Sequence, residues 1–136
     1  MHKARTAWVL AVLLAGPAPV RAALPGVIFQ ISTSSPAAWK VAVHNVHNLE
    51  RATGMPGTLI EVVVFSRAAR ILLKDSPVAS ELGALHASGV AIEACKASIR
   101  KAGLKPSAIL PFVRYVPSSV AEVVRRERQG WAYVRP

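Results

Sequence analysis

Cys95 is the only cysteine in the chain, and it stands inside the run Val90-Ala91-Ile92-Glu93-Ala94-Cys95-Lys96-Ala97-Ser98-Ile99-Arg100-Lys101. The thiolate is the reactive form of cysteine, as nucleophile and as sulfur carrier. Three features of the run favour it. The apolar residues before Cys95 read as a short strand, and those after it as a helix. A thiol at the start of a helix lies near unpaired backbone N–H groups and the positive end of the helix dipole. Lys96, Arg100 and Lys101 add positive charge. Glu93 opposes them, because strand alternation carries it to the same face as Cys95.

Other residue types offer weaker chemistry. His44 and His47 are three apart on a helical stretch and could share a metal ion. Lys40 and Arg51 fall on the same helical face, which reads better as a solvated polar surface. No HExxH motif, second cysteine or carboxylate cluster supports a metal, and no metal site or cofactor is expected. Ser32, Ser34 and Ser35 follow the first strand and are explained by helix capping. Glycine-rich phosphate loops and the Gly-x-Ser-x-Gly elbow are absent.

The elements that must carry Cys95 alternate. Gly26–Ser32 is a continuous apolar run, as expected of a strand covered on both faces. Ser35 and Pro36 open a helix whose stripe is Trp39, Val43, Val46 and Leu49. Leu59–Phe65 is a second strand. Ser66–Leu73 reads as a short helix, and Ser76-Pro77 as the start of another through Val78, Leu82 and Leu85. Val90–Ala94 is the third strand, followed by a helix from Lys96 that stops at Gly103. Phe112–Val116 is a fourth strand. Ser119 and Glu122 have the spacing of a capping box, with Val120, Val123 and Val124 facing inward. Trp131–Val134 is a terminal strand. Strands alternating with helices, with no hairpin turns, predict an α/β fold with a parallel sheet between helices. In such sheets ligands bind beyond the carboxyl ends of the strands, which is where Cys95 falls.

Composition narrows the setting. The 136 residues carry 17 Lys and Arg against 7 Asp and Glu, and the length suits one domain. His2, Lys3 and Arg5 precede the short apolar run Ala7–Ala15, then Gly16-Pro17-Ala18-Pro19 and Val20-Arg21-Ala22. This is the layout of a secretory signal peptide, residues 1–22, cleaved after about Ala22. Residues 23–136 then form a single domain, periplasmic or secreted, with no stable membrane insertion. Losing Lys3, Arg5 and Arg21 leaves 14 basic residues and a net charge of +7. Export and an aromatic content of 6% argue against a nucleic-acid partner. A lone cysteine in an oxidising compartment is buried and inert, paired between chains, or kept reactive. Its place at a strand end favours the last.

The mature chain resembles the DsrE/DsrF-like family of small sulfur-transfer proteins, in its exported single-domain branch. The resemblance rests on Val27–Ser32, Trp39 with Asn45-Val46-His47-Asn48, Ile60–Val63 and Asp75-Ser76-Pro77-Val78-Ala79. It continues through Gly89-Val90 leading to Ala94-Cys95, Leu110-Pro111, Tyr115-Val116-Pro117 and Gln129–Pro136. It implies a three-layer α/β/α sandwich with a five-stranded, mainly parallel sheet, and homo-oligomers, commonly trimers or hexamers. It implies that Cys95 accepts sulfane sulfur as a persulfide from a small donor and relays it to an acceptor protein thiol, as a sulfurtransferase or carrier. The chain departs from the family pattern at Ser66-Arg67-Ala68, where relatives often have Gly-Pro-Gly, and at Ala97-Ser98-Ile99, where many have Asn-Thr-Met. His44 stands where asparagine is common. Both altered segments should border the thiol, so Lys96, Ser98, Arg100, Ser66 and Arg67 are the expected substrate-binding residues. The alternative is a non-catalytic oligomeric module, binding a small anion or serving assembly, in which Cys95 is structural.

Overall fold

The computed structural model describes residues 25–136. The expected leader, residues 1–22, and its cleavage site lie outside them. No helix among the described residues is long and apolar enough to cross a membrane.

The chain runs β1 (Val27–Ile31), α1 (Pro36–Thr53), β2 (Ile60–Val64), a 3-10 segment (Ser66–Leu72), α2 (Ala79–Ala87), β3 (Ala91–Cys95), α3 (Lys96–Lys101), β4 (Arg114–Val116), α4 (Ser119–Arg128) and β5 (Ala132–Val134). The five strands form one sheet in the order β4-β3-β2-β1-β5, and every pair is parallel. This is the α/β architecture expected from the alternating pattern.

The two faces of the sheet differ. Val27, Phe29, Ile31, Ile60, Val62, Val64, Ile92 and Ala94 point to the main core, where they meet Trp39, Val43 and Val46 of α1 and Leu82 and Leu85 of α2. Ile99 of α3 joins that core. The opposite face carries Ile28 and Val63, and a single helix, α4, packs there through Val123. Strand alternation puts Glu61, Glu93 and Cys95 on this second, thinner side.

Ser35 caps α1, its hydroxyl accepting the Ala38 N–H at 3.4 Å with Pro36 at the first helical position. Gly54 closes the helix in the left-handed conformation that glycine adopts without strain. Elsewhere the boundaries shift. Ser66–Leu72 is 3-10, because Ala68, Ala69, Ile71 and Leu72 must all reach the core from one short segment. α2 begins at Ala79, two residues after Pro77, while the Ser76 hydroxyl accepts the Val78 N–H at 3.4 Å. β4 starts at Arg114, since Phe112 instead stacks on His86 with centroids 4.6 Å apart.

α4 corrects the capping-box expectation. Ser118 is the cap, accepting the Ala121 N–H at 3.3 Å, and Ser119 is the buried first residue of the helix. Val123 alone of the three valines faces inward, whereas Val120 and Val124 are exposed. The inner face of α4 is completed by Glu122 and the half-buried Arg126, polar residues that the hydrophobic pattern does not anticipate.

Candidate functional site

Cys95 is the last residue of β3 and the N-cap of α3. It pairs in register with Val116, the last residue of β4. Two neighbouring parallel strands thus end side by side. Each leads into a helix, α3 at once and α4 after Pro117 and Ser118. α3 sits on the main-core face and α4 on the other, so the sulfur lies between the first turns of both.

That placement decides the chemistry of the thiol. Cys95 is only 9% exposed, and burial pushes its pKa up. The backbone N–H groups of Ser119, Ser98 and Ala97 and the Ser98 hydroxyl hydrogen-bond the sulfur and outweigh burial. The balance lowers the thiol from an ordinary value of 9.0 to about 7. Half of the molecules are then thiolate near neutral pH. Ser98 is set for this by its own neighbour: its Oγ accepts the Ser66 N–H at 2.8 Å, which leaves the hydroxyl proton for the sulfur. Ser66 makes that bond with φ at +58°, a left-handed conformation that costs a non-glycine residue about 1 kcal/mol or more. The backbone here is shaped for glycine and holds serine.

The expected site residues separate into two groups. Ser66, Arg67 and Ser98 come together on the wall of one groove, and Arg70 and Lys101 join them there. Lys96 and Arg100 are exposed on α3 and do not line it. Ser119 escaped sequence reasoning, because its contribution is a backbone N–H. Pro117-Ser118 signals a helix start, but not that β4 ends beside β3.

Below the thiol the fold makes a cluster that the sequence did not reveal. Glu61, Glu93 and Glu122 are all buried, and a carboxylate oxygen of each lies within 4.8 Å of the others. This corrects the reading that the chain has no carboxylate cluster. Strands β2 and β3 and helix α4 contribute one glutamate each. Every one meets an arginine. Arg126 donates to Glu61 Oε2 at 2.7 Å and reaches Glu122 at 3.2 Å, Arg125 bonds Glu122, and Arg114 bonds Glu93. The Arg126 guanidinium also stacks over Trp131 at 4.2 Å.

Three acids face three guanidinium groups, and Glu61 Oε1 and Glu93 Oε2 are the two buried oxygens lacking a partner. Burial first, then a hydrogen bond to Glu93 and its repulsion, raise Glu61 to about 8 against the pull of Arg126. A proton held on Glu61 and shared with Glu93 gives both orphan oxygens a partner, and an unpaired buried carboxylate would be far more costly. Glu122 moves the other way: burial raises it, but Arg125 and Arg126 hold it below the usual carboxylate range. The cluster fastens α4 to the sheet, and α4 delivers the Ser119 N–H to Cys95.

His44 and His47 lie on α1, His44 exposed and His47 half-buried. His47 Nδ1 is 3.6 Å from Glu50. They border a separate groove with Lys40, Val41, Val78 and Glu81, which shares no residue with the one beside Ser98.

A parallel α/β sheet presenting one cysteine at a strand end, hydrogen-bonded from two helix starts, defines the class of protein. A family model described as the DsrE/DsrF-like family matches residues 27–136, and the chain belongs to that family. Among solved structures it is similar to a protein of unknown function, MTH1491 from Methanobacterium thermoautotrophicum. The identity is 32%, with a TM-score of 0.75, over 81% of this chain and 97% of that one. The ychN protein from E. coli shares the fold at 12% identity and a TM-score of 0.66, over 82% and 98% of the two chains. So does a conserved protein of unknown function, BT1422 from Bacteroides thetaiotaomicron, at 16% and 0.64, over 82% and 95%. No curated protein matches the sequence.

Proposed function

We propose that Cys95 accepts a sulfane sulfur as a persulfide and passes it to an acceptor thiol. Membership of the family suggests a role related to sulfur relay. The observation that carries the finer reading is the set of hydrogen bonds to the sulfur, from Ser119, Ser98 and Ala97, which lower the thiol to about 7. The thiolate attacks the sulfane sulfur, a new S–S bond forms, and the donor's leaving group departs with the electron pair. The acceptor thiolate then attacks the outer sulfur and restores the Cys95 thiolate. Nothing is oxidised overall, and the charge at the site is conserved, since thiolate and persulfide anion each carry one negative charge. Export and homo-oligomer formation belong to this proposal, the first from the composition of residues 1–22 and the second from the family resemblance.

The test is mass spectrometry of the protein after polysulfide treatment. One added sulfur on Cys95, absent in Cys95→Ser and transferable to a second thiol, is the expected result. If a surface-cysteine control protein gains sulfur while Cys95 does not, the proposal is wrong and a purely structural cysteine takes its place.

A further inference from the structure

Ser98, which touches the thiol, borders positive charge that no acid answers. One open groove, of about 440 Å³, is lined by Ser66, Arg67, Arg70, Ser98 and Lys101. A second, of about 460 Å³, shares Ser66 and Arg67 with it and extends past Gln30 and Thr33 to Arg135. No acidic side chain lines either. Among the described residues, Arg67, Arg70, Lys101 and Arg135 have no carboxylate within ion-pair distance. Arg114, Arg125 and Arg126, around the buried cluster, are each held by a glutamate. The chain therefore spends three of its seven acids on the cluster and none on the grooves. Ser98 belongs to both worlds: it lines the first groove and hydrogen-bonds the sulfur.

This arrangement has a chemical reading. A neutral sulfur donor needs no cations, and a charged sulfur donor does, because the attacking group is itself an anion. Bringing a thiolate to a dianion gathers three negative charges, and only fixed positive charge makes that encounter favourable. Guanidinium groups suit an oxyanion in particular, since they donate paired hydrogen bonds to its oxygens.

We propose that the groove around Arg67 binds a small dianionic sulfane-sulfur donor of the thiosulfate class. Arg67, Arg70 and Lys101 hold its oxygens, and its outer sulfur is directed past Ser98 toward Cys95. The reacting step rests on the relay function proposed above. The Cys95 thiolate attacks the outer sulfur, the donor's own S–S bond breaks, and sulfite leaves with the electron pair. Cys95 is left as a persulfide anion. Three negative charges enter and three remain, and no outside oxidant or reductant takes part.

The test separates binding from transfer. Sulfate, a dianion of similar shape with no sulfur to give, is titrated against the rate at which neutral iodoacetamide alkylates Cys95, with chloride at matched ionic strength as control. A dianion beside the thiol disfavours thiolate, so a rise of about one pKa unit under saturating sulfate slows alkylation at pH 7 about twofold. Arg67→Gln and Arg70→Gln together abolish this protection, and the remote Arg51→Gln leaves it intact. Thiosulfate then loads Cys95 with one sulfur in the wild type, released sulfite being counted in equal amount. If sulfate gives no more protection than chloride, or the double variant keeps it, the dianion site is refuted whatever the fate of sulfur. If sulfate protects but neither thiosulfate nor polysulfide loads Cys95, the site stands as an anion site and the relay function falls. If polysulfide loads Cys95 and thiosulfate does not, the relay stands and the assignment of the donor is overturned.

Discussion

Replacing Ser98 by alanine removes one of the four hydrogen bonds that lower the Cys95 thiol to about 7. A hydrogen bond to a charged group contributes about 1.5–3 kcal/mol. Sulfur is a soft acceptor at the weak end of that range, so the thiol rises by about one pKa unit, to about 8. The thiolate fraction at pH 7 then falls from about one half to about one tenth. The remaining thiolate is more basic and, with a Brønsted slope of about 0.4–0.5, attacks about threefold faster. Two effects of opposite sign follow for alkylation by iodoacetamide. At pH 7 the rate drops about twofold, and on the alkaline plateau it rises about threefold, with the inflection moved up by about one unit. The lost hydroxyl also accepted the Ser66 N–H, but Ser66 is exposed and water replaces that partner. Ser98→Thr keeps the hydroxyl and holds the inflection near the wild-type value. An inflection that stays at its wild-type position in Ser98→Ala refutes the claim that this hydroxyl sets the thiol.

The stability of the protein should depend on pH through two groups with opposite signs. Cys95 titrates near 9.0 unfolded and about 7 folded, so its contribution, about 2–3 kcal/mol, is present in full above 9.0 and lost as pH falls through 7. Glu61 titrates near 4.5 unfolded and about 8 folded. Its contribution is full below 4.5 and lost as pH rises through 8. Urea unfolding across this range therefore shows stability falling up to neutrality, level between the two folded values, and rising beyond. Cys95→Ser removes the alkaline rise, and its persistence in that variant would show that another group is responsible. Glu61→Gln removes the acidic-side decline and raises stability at pH 8, because an amide donates to Glu93 without titrating and its oxygen still accepts from Arg126. A loss of stability at pH 8 in Glu61→Gln would contradict the shared proton. Val123→Ala loosens α4 and costs about 1–2 kcal/mol, whereas Val120→Ala and Val124→Ala change stability by less than about 0.5 kcal/mol, measured in the same assay.

Much of the fold was legible in the sequence because its signals are local. Unbroken apolar runs such as Val27–Ile31 and Ile60–Val64 mark strands covered on both faces, and caps such as Ser35-Pro36 mark helix starts. These depend on residues a few positions apart. What failed was also local in kind: in Ser76-Pro77 and Ser119–Glu122 more than one residue could cap, and tertiary packing chose among them. The pattern Val120, Val123, Val124 suggested a wide apolar face on α4. The helix instead turns Arg126 inward, where it pairs with Glu61 on the sheet beneath, and Glu122 comes with it, held by Arg125 and Arg126.

The sequence by itself determined that one cysteine stands between a strand and a helix, at the carboxyl end of a strand in a parallel sheet, where ligands gather. The resemblance to the family added the expectation that Ser66-Arg67-Ala68 and Ala97-Ser98-Ile99 border the thiol. Only the tertiary structure decided what activates that cysteine. The adjacent strand β4 brings the start of α4, and the Ser119 N–H, to the sulfur from 24 residues further along the chain. The basic side chains of Lys96 and Arg100, prominent in the sequence, remain in solvent. Nor could any spacing reveal that Glu61, Glu93 and Glu122 meet, since their encounter depends on the order of strands in the sheet and on the crossing of α4. Hydrogen bonds act over about 3 Å, and which groups come that close is fixed by topology, which local sequence encodes only through the whole fold.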